Sequence, residues 1–497
     1  MQGRLLHHSC WSKPNNVRSL PDALVTITEL DGTGLLHGNV TIETLHDDVL
    51  LAIFASCEDP NDEIDAWHTL VHVCQRWRCL VFASPGHLNL QLQCTIETPV
   101  KEMLDIWPPL PIVITDVSDS MSGVDNIIAA LEQHDRVREI RLDDIPGWKM
   151  DTFVPAMLEP FPVLESIILG ASDHDSEMAV IPDSFLDGSA PQLQWLTLCA
   201  IPFPTLPSFL SSTKNLVELE LSSIPRSGYI SPEVMVTCLS AMPRLRSFRL
   251  DFHSSRSFPN DESRPRPLLA RSTLPALCDM FFTGVCEYFE EFIARIDVPV
   301  IRRLEITFFH RYFYHFSELS RFIDHAAIFK SPTDACIRLL SGVADVTLSP
   351  LSETYRDVTL TLGISCNELD QQLRYITQLC SSTLLPFRKA KMLEIFCVYE
   401  MHKPHWEHPT EDLRWLDILQ PFSTVERLYI AKSILTPVTY TLNMVAKRRI
   451  TEVLPAIQEL SIGEQFPLGS VLRAIEKFAT TRRLFTHLDG PNRWVAS

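Results

Sequence analysis

The sequence predicts an α/β fold in which a small N-terminal helical unit precedes a curved solenoid of parallel strands backed by helices. Two observations support this fold class. Residues 42–82 contain two amphipathic helical runs, and beyond residue 110 one spacing of apolar residues recurs many times. Neither a short helical unit nor a single repeat can bury its apolar face alone, so each must pack on a neighbour.

The composition is that of a folded chain. Of its 497 residues, 45% are hydrophobic and 21% are charged, and the formal net charge is −19. These fractions are ordinary for globular domains, and the length favours two to four domains or one solenoid. The negative charge argues against nucleic acid or an anionic membrane as the partner, because both require basic surface.

The cysteines indicate a reducing compartment. There are 13 of them, scattered without a CxxC pair, which favours free thiols that pack as small hydrophobic residues. The first residues lack the apolar run of a signal peptide, and no stretch has 18 uninterrupted apolar residues. We therefore expect a cytoplasmic or nuclear protein with no membrane segment and no cofactor.

The N-terminal region divides into a flexible leader over 1–40 and a helical domain over 41–84. The first helical run carries apolar residues at Leu45, Val49, Leu50, Ile53 and Phe54. The second has them three or four residues apart, which places them on one helical face, at Trp67, Leu70, Val71, Cys74, Trp77 and Val81.

The order Leu-x-Asp-Asp-Val-Leu-Leu-x-Ile-Phe followed by Val-Cys-x-Arg-Trp-Arg resembles an F-box. The chain is similar to fungal-type F-box proteins with degenerate repeats, specifically over 42–84 and only in architecture over 85–480. One departure is His46, where a proline usually opens the first helix. The resemblance implies a three-helix unit that binds the Skp-type adaptor of a cullin ubiquitin ligase. It places the adaptor-binding residues among Leu45, Val49, Leu50, Ile53, Phe54, Val73 and Trp77.

Some of these seven residues must instead hold the three helices together, and the sequence does not separate the two roles. Trp67, Leu70 and Cys74 are expected to be internal. Truncation of a central interface residue such as Leu50 is expected to cost a few kcal/mol of adaptor binding.

The region 85–480 repeats an L-x-x-L-x-L pattern. Three copies end in Ile-Pro, at 137–146, 193–202 and 216–225, and start-to-start spacings are mostly about 23–33 residues. Shorter copies start at Leu164, Leu245, Leu277, Ile301, Val343, Met392, Val425 and Ile457. This period and pattern are typical of leucine-rich repeats, here degenerate and helix-backed. A conventional α/β domain with a parallel sheet is the alternative.

Insertions are expected near 253–273 and 351–390. The first is polar and locally basic. It is a solvated loop, a contact for an acidic partner, or a site of modification on Ser254, Ser255 or Ser257. The second contains a helical segment at 366–380. A helix at 470–478 is expected to cap the solenoid, followed by a C-terminal tail over 481–497.

Residues between the leucines of each strand should project from the open face of the sheet, because side chains alternate along a strand. The exposed aromatic and arginine residues among them are typical anchors of protein interfaces. The predicted target-binding residues are Arg141, Trp195, Glu218, Glu220, Arg249, Phe281, Arg303, Glu305, Phe396, Arg427 and Tyr429.

The sequence contains no GxSxG elbow, HExxH helix or Walker loop. Its densest metal-like cluster is His402, His405 and His408, which a nearby proline makes a surface loop rather than a zinc helix. We therefore expect no catalytic activity. The leading hypothesis is a substrate receptor of a Skp–cullin–F-box ligase with an unknown protein target. The alternatives are a repeat scaffold without a ligase role and an enzyme on a parallel α/β sheet.

Overall fold

The computed structural model describes residues 42, 45–56, 67–85, 88, 90–97, 100–106, 109–116, 123–172, 180–259, 271–309, 316–330, 332–350, 358–382, 386–398, 414–448, 450–463, 469–486 and 493–496. The predicted leader over 1–40 lies outside these residues. The chain divides into two compact units, Met1–Val81 and Phe82–Ser497. Among the residues described, no helix is both long and apolar enough to cross a membrane.

The first unit contains three short helices, α1 (Asp47–Ser56), α2 (Trp67–Leu70) and α3 (Gln75–Ala83). Two aspartates in the first turn of α1 favour the helix start, because carboxylates interact well with the positive end of the helix dipole. The core of the unit contains Leu50 and Phe54 from α1, one turn apart, and the Phe54 ring lies 4.8 Å from that of Trp77 in α3.

The second unit alternates strands with helices in its N-terminal half. Its first strands are β1 (Leu92–Cys94), β2 (Ile112–Asp116), β3 (Val137–Ile145), β4 (Ser166–Ala171), β5 (Trp195–Cys199), β6 (Glu218–Ile224), β7 (Ser247–Phe252), β8 (Ser272–Thr273), β9 (Asp279–Gly284), β10 (Ile296–Asp297) and β11 (Arg303–Phe309). The helices between them are α4 (Val100–Ile106), α5 (Val124–Leu131), α6 (Gly147–Phe153), α7 (Leu206–Leu210), α8 (Pro232–Ser240) and α9 (Cys286–Ile293).

The C-terminal half continues with β12 (Asp334–Leu340), β13 (Val343–Ser349), β14 (Thr359–Ser365), β15 (Met392–Val398), β16 (Arg427–Ile430), β17 (Glu459–Ile462), β18 (Leu484–Thr486) and β19 (Arg493–Ala496). Its helices are α10 (Ser317–His325), α11 (Leu369–Ser381), α12 (Arg414–Leu419), α13 (Leu435–Arg448) and α14 (Ser470–Thr481). The helices expected at 366–380 and 470–478 are present as α11 and α14. The residues expected to form a C-terminal tail include β18 and β19.

Seventeen of the described strands form one sheet, and β8 and β10 pair separately. From β1 to β11 the large sheet follows chain order and every neighbouring pair is parallel. Parallel order along the chain is what stacked repeats produce. The second unit is therefore an α/β unit with a large, mostly parallel sheet, an arrangement consistent with a leucine-rich-repeat-like solenoid.

The repeat pattern aligns across the strands. The middle leucine position of each copy lies beside its equivalents in the pairing register, and none of these side chains is more than 1% exposed: Ile140, Ile167, Leu196, Leu219, Phe248, Met280 and Leu304. Helices cover this face, since Phe289 of α9 lies 4.7 Å from Phe282 of β9 and 6.2 Å from Phe308 of β11. The alternation of apolar residues in the sequence thus places the core between sheet and helices.

The prediction that a repeat starts at Val343 is wrong. Its strand β13 is antiparallel to both β12 and β14, so the order along the sheet is β11, β14, β13, β12 and β15. Only Ser341 and Gly342 connect β12 to β13, and Gly342 has φ 89°. A two-residue loop is long enough for a hairpin, whereas a parallel crossover needs a dozen residues or more.

The predicted alignment of the repeat at Met392 is also wrong, by two residues. The L-x-x-L-x-L pattern that starts at Met392 puts its fourth and sixth positions at Ile395 and Cys397. In the structure, Leu393 and Ile395 of β15 occupy these positions, because they pair with Leu428 and Ile430 of β16. A shift of two residues keeps each side chain on the same face of the sheet, because the side-chain period of a strand is two. The predicted outward orientation of Phe396 is therefore retained.

The three copies that end in Ile-Pro share a strained residue two positions before the proline. Asp144, Ala200 and Ser223 have φ values of 55°, 58° and 52°, in the left-handed region. In β3 and β6 the pairing register shifts at the same place, which is typical of a β-bulge. The bulge turns the following isoleucine into the core, where Ile145 is fully buried.

Replacing Ser223 by glycine is therefore expected to stabilise the protein by about 0.5–1 kcal/mol, because glycine adopts positive φ without the steric cost of a Cβ. The matched control is Ser247→Gly in the regular strand β7, which is expected to destabilise by a similar amount. Urea denaturation followed by circular dichroism measures both. A loss of stability in Ser223→Gly would contradict this account of the bulge.

Candidate interaction surfaces

The helical unit separates the seven predicted adaptor-binding residues into a core and a surface. Leu50 and Phe54 are 0% and 2% exposed, and Leu45 and Trp77 are half-buried. Leu50 and Phe54 belong to the packing of the unit, so the expectation that Leu50 is a central interface residue is corrected. For Leu45 and Trp77 the adaptor-binding role stays a prediction. On α1, Leu50 and Phe54 form one stripe at i and i+4. Val49 and Ile53, each one residue earlier, form a second stripe that faces outward.

The outward stripe is apolar. Val49 and Ile53 of α1 are 45% and 36% exposed, and Val73, in the turn between α2 and α3, is 56% exposed. Of the residues expected to be internal, Cys74 is exposed and Leu70 is half-buried, while the Trp67 side chain lies outside the described residues. The exposed residues among the seven predicted ones are therefore Val49, Ile53 and Val73, which we call the apolar patch.

One arginine ties the start of α1 to α3. Arg76 donates to a carboxylate oxygen of Asp47 at 2.6 Å and to the carbonyl oxygen of Leu45 at 2.6 Å. Both charged side chains are partly exposed, so the pair contributes little stability and acts mainly on geometry. It sets the position of the helix that carries Val49 and Ile53.

In the second unit, all of the predicted target-binding residues lie on the open face of the sheet. None of these predicted residues is buried, whereas the residues beside them in each strand are buried. The predicted residues are Arg141, Trp195, Glu218, Glu220, Arg249, Phe281, Arg303, Glu305, Phe396, Arg427 and Tyr429. The pairing register places Glu220, Arg249, Phe281 and Glu305 side by side on successive strands. Their orientation follows from the structure, and their role in binding a target stays a prediction.

The centre of this face is a stacked arginine. Arg249 Nε lies 3.3 Å from a carboxylate oxygen of Glu220, and its guanidinium carbon lies 4.2 Å from the centre of the Phe281 ring. Arg303 approaches the same ring at 6.0 Å. Planar guanidinium groups stack well on aromatic rings, so Phe281 and its arginines are held in place before any partner arrives.

The carboxylates around this centre repel one another. Burial, with repulsion from Glu220 and Asp279, raises the pKa of Glu218 above its usual range despite the attraction of Arg249. A raised pKa means that the charged form of Glu218 is destabilised at this position. A cation placed beside Glu218 would stabilise its charged form.

A second group of outward residues lies on β12, β15 and β16. The Phe396 and Tyr429 rings are 5.4 Å apart, and burial raises the pKa of Glu394, with further repulsion from Asp334. Arg427 opposes this shift. This group resembles the first in combining aromatic rings with carboxylates of raised pKa.

The antiparallel strands carry a polar network that was not predicted from the sequence. Arg338 donates to Asp345 at 2.8 Å, and the hydroxyl oxygens of Thr347 and Thr361 are 3.0 Å apart. Burial raises the pKa of Asp345, although Arg338 counteracts it. The signal that would have found the network is Ser341-Gly342 between two alternating runs, a hairpin signature.

Of the other predicted sites, the three serines near the first insertion lie within the described residues. Ser257 is buried and accepts a hydrogen bond from the Ser254 N–H at 3.4 Å, so it is not accessible to modification, whereas Ser254 and Ser255 are half-buried. Residues 260–270 and the cluster of His402, His405 and His408 lie outside the described residues.

The cysteines of the described residues are all free thiols. Burial raises the pKa of Cys94 and of Cys286 to about 12. A thiol is nucleophilic only as the thiolate, so these two groups are unreactive near neutral pH. They serve as small hydrophobic residues.

Comparison with known proteins adds little to this description. No family profile matches the chain, and no curated protein matches it. Among solved structures the chain is similar to LegL7, a leucine-rich repeat-containing protein from Legionella pneumophila, at 12% sequence identity and a TM-score of 0.27. That similarity covers 78% of this chain and 97% of the other. The repeat fold is evident instead from strand order, register and burial.

Proposed function

We propose that the chain is a non-catalytic, protein-binding repeat scaffold that acts in the cytoplasm or nucleus as the substrate receptor of a Skp–cullin–F-box ubiquitin ligase. The helical unit would bind the Skp-type adaptor and, through it, a cullin, while the open sheet face would bind a protein target. The observation that carries the proposal is the apolar patch on a unit whose sequence resembles an F-box.

The apolar patch supports adaptor binding for a physical reason. Exposed aliphatic side chains on a short helical unit lose water-exposed area when a partner covers them, which is favourable. Val49 and Ile53 are one helical turn apart, so one partner surface can cover both. Leu50 and Phe54 are buried on the same helix, so replacing either would disturb the packing of the unit. They are therefore unsuitable for testing the interface.

The test is co-expression of the full chain with a Skp-type adaptor, followed by size-exclusion chromatography. The variant Ile53→Asp/Val73→Asp is expected to lose the 1:1 complex, because a carboxylate buried at an interface without a partner costs several kcal/mol. The matched control is Val163→Asp/Val300→Asp, which replaces two valines that are 43% and 44% exposed in the second unit. The control is expected to retain the complex.

Circular dichroism establishes that each variant is folded. A folded wild-type chain that forms no complex with the adaptor would overturn the ligase role. The chain would then be a repeat scaffold that binds proteins without a link to ubiquitin transfer.

A further inference from the structure

The open face of β6, β7, β9 and β11, which we call the acidic face, carries more carboxylates than guanidinium groups among its described outward residues. Its outward carboxylates number five against two guanidinium groups, and no lysine lies among them: Glu218, Glu220, Asp251, Asp279 and Glu305 with Arg249 and Arg303. Arg249 is shared between Glu220 and the Phe281 ring. The described outward residues of these four strands therefore sum to a negative formal charge at neutral pH.

The carboxylates are close together because of the register. Glu218 and Glu220 lie on the same strand, and Asp279 lies two strands away in register with Glu218. Adjacent strands are about 4.8 Å apart, so carboxylates one or two strands away interact strongly when partly shielded from water. Burial, together with the repulsion from Glu220 and Asp279, raises the pKa of Glu218.

Aromatic surface accompanies the charge. Phe281 is half-buried at the middle of the face, and Trp195 on the adjoining strand β5 is 41% exposed. Aromatic rings beside carboxylates suit lysine and arginine, whose aliphatic stems pack on apolar surface while their heads reach the acids. A polyanion would instead be repelled by the same carboxylates.

We propose that the acidic face docks a lysine- or arginine-rich segment of the partner protein, laid across the strands from Trp195 to Glu305. This inference rests on the proposed function of the sheet as a protein-binding scaffold and names the chemistry of its partner. Four strand-to-strand steps from β5 to β11 span roughly 19 Å, which an extended chain covers in about six residues. The expected ligand is thus a short basic segment.

The test is selection of a phage-displayed library of random 12-residue peptides on the full-length protein. Peptides with several lysines or arginines within six positions are expected to be enriched. The best of them, made synthetically, is expected to bind the variant Glu218→Gln/Glu220→Gln/Asp279→Asn about tenfold more weakly or worse, a change of about 1.4 kcal/mol. The matched control Glu132→Gln/Glu159→Gln/Glu452→Gln removes three exposed carboxylates elsewhere and is expected to bind within about twofold of wild type.

Two results would overturn the inference: selection without a basic consensus, or a basic peptide that binds both triple variants equally well. If the face variant is not folded by circular dichroism, the single reversal Glu305→Lys replaces it, with the same two outcomes. Because the adaptor experiment involves only the helical unit, loss of adaptor binding with retained peptide binding would refute the ligase role and leave this inference intact. The opposite pattern would refute the inference alone.

Discussion

Replacing Lys149 by methionine is expected to lower the free energy of unfolding by about 3–5 kcal/mol. Lys149 of α6 forms an ion pair with Asp116 at the end of β2, and both side chains are 0% exposed. Its ammonium nitrogen also lies 5.9 Å from the centre of the Phe153 ring. Removing the ammonium leaves the buried Asp116 carboxylate without its counter-charge, which is far more costly than losing the lysine's own contacts.

The double variant Lys149→Met/Asp116→Leu is the control for that prediction. It removes both charges and substitutes apolar groups of similar volume, so most of the lost stability should return. Urea denaturation followed by circular dichroism gives the stability of each variant. A double variant no more stable than Lys149→Met would contradict the electrostatic explanation and indicate a packing defect instead.

Replacing Gly123 by alanine is expected to destabilise the second unit by about 2–4 kcal/mol, from the left-handed backbone cost plus overpacking. Gly123 precedes α5 with φ 80°, and a Cβ built on it would lie 1.9 Å from the carbonyl oxygen of Ile96. That carbonyl accepts a hydrogen bond from Asn126 Nδ2 at 2.9 Å, so it cannot move without breaking the contact.

Gly188 provides the matched comparison. It also has positive φ, at 68°, but a Cβ there would meet no atom within 4 Å. Gly188→Ala should therefore cost only the backbone strain, about 1 kcal/mol. The difference between the two denaturation midpoints measures the steric clash with Ile96. Equal losses of stability in the two variants would show that the backbone at Ile96 moves away at little cost.

The strands of the regular repeats are predictable from the sequence because their signal is local. In β6, for example, Leu219 and Leu221 alternate with Glu218 and Glu220, and the structure buries the leucines and leaves the glutamates outward. Alternation at a period of two determines which face of a strand is apolar whatever strand lies beside it.

The helical unit shows where local pattern is insufficient. Val49 and Leu50 are adjacent apolar residues on α1, and each has a partner one turn later, at Ile53 and Phe54. The spacing of either pair is compatible with a buried face. Only the position of α3, whose Trp77 ring packs on Phe54, decides that Leu50 and Phe54 are internal and that the other pair is exposed.

The sequence by itself therefore determined the class of the fold, the existence of the repeats, and which side chains of each regular strand point outward. The tertiary structure decided the strand order around β12–β14, the division of the residues predicted to bind an adaptor into core and surface, and the concentration of carboxylates on the acidic face. The reason is that side-chain alternation is a property of neighbouring residues, whereas strand partners and buried helix faces are chosen by contacts between residues distant in the chain.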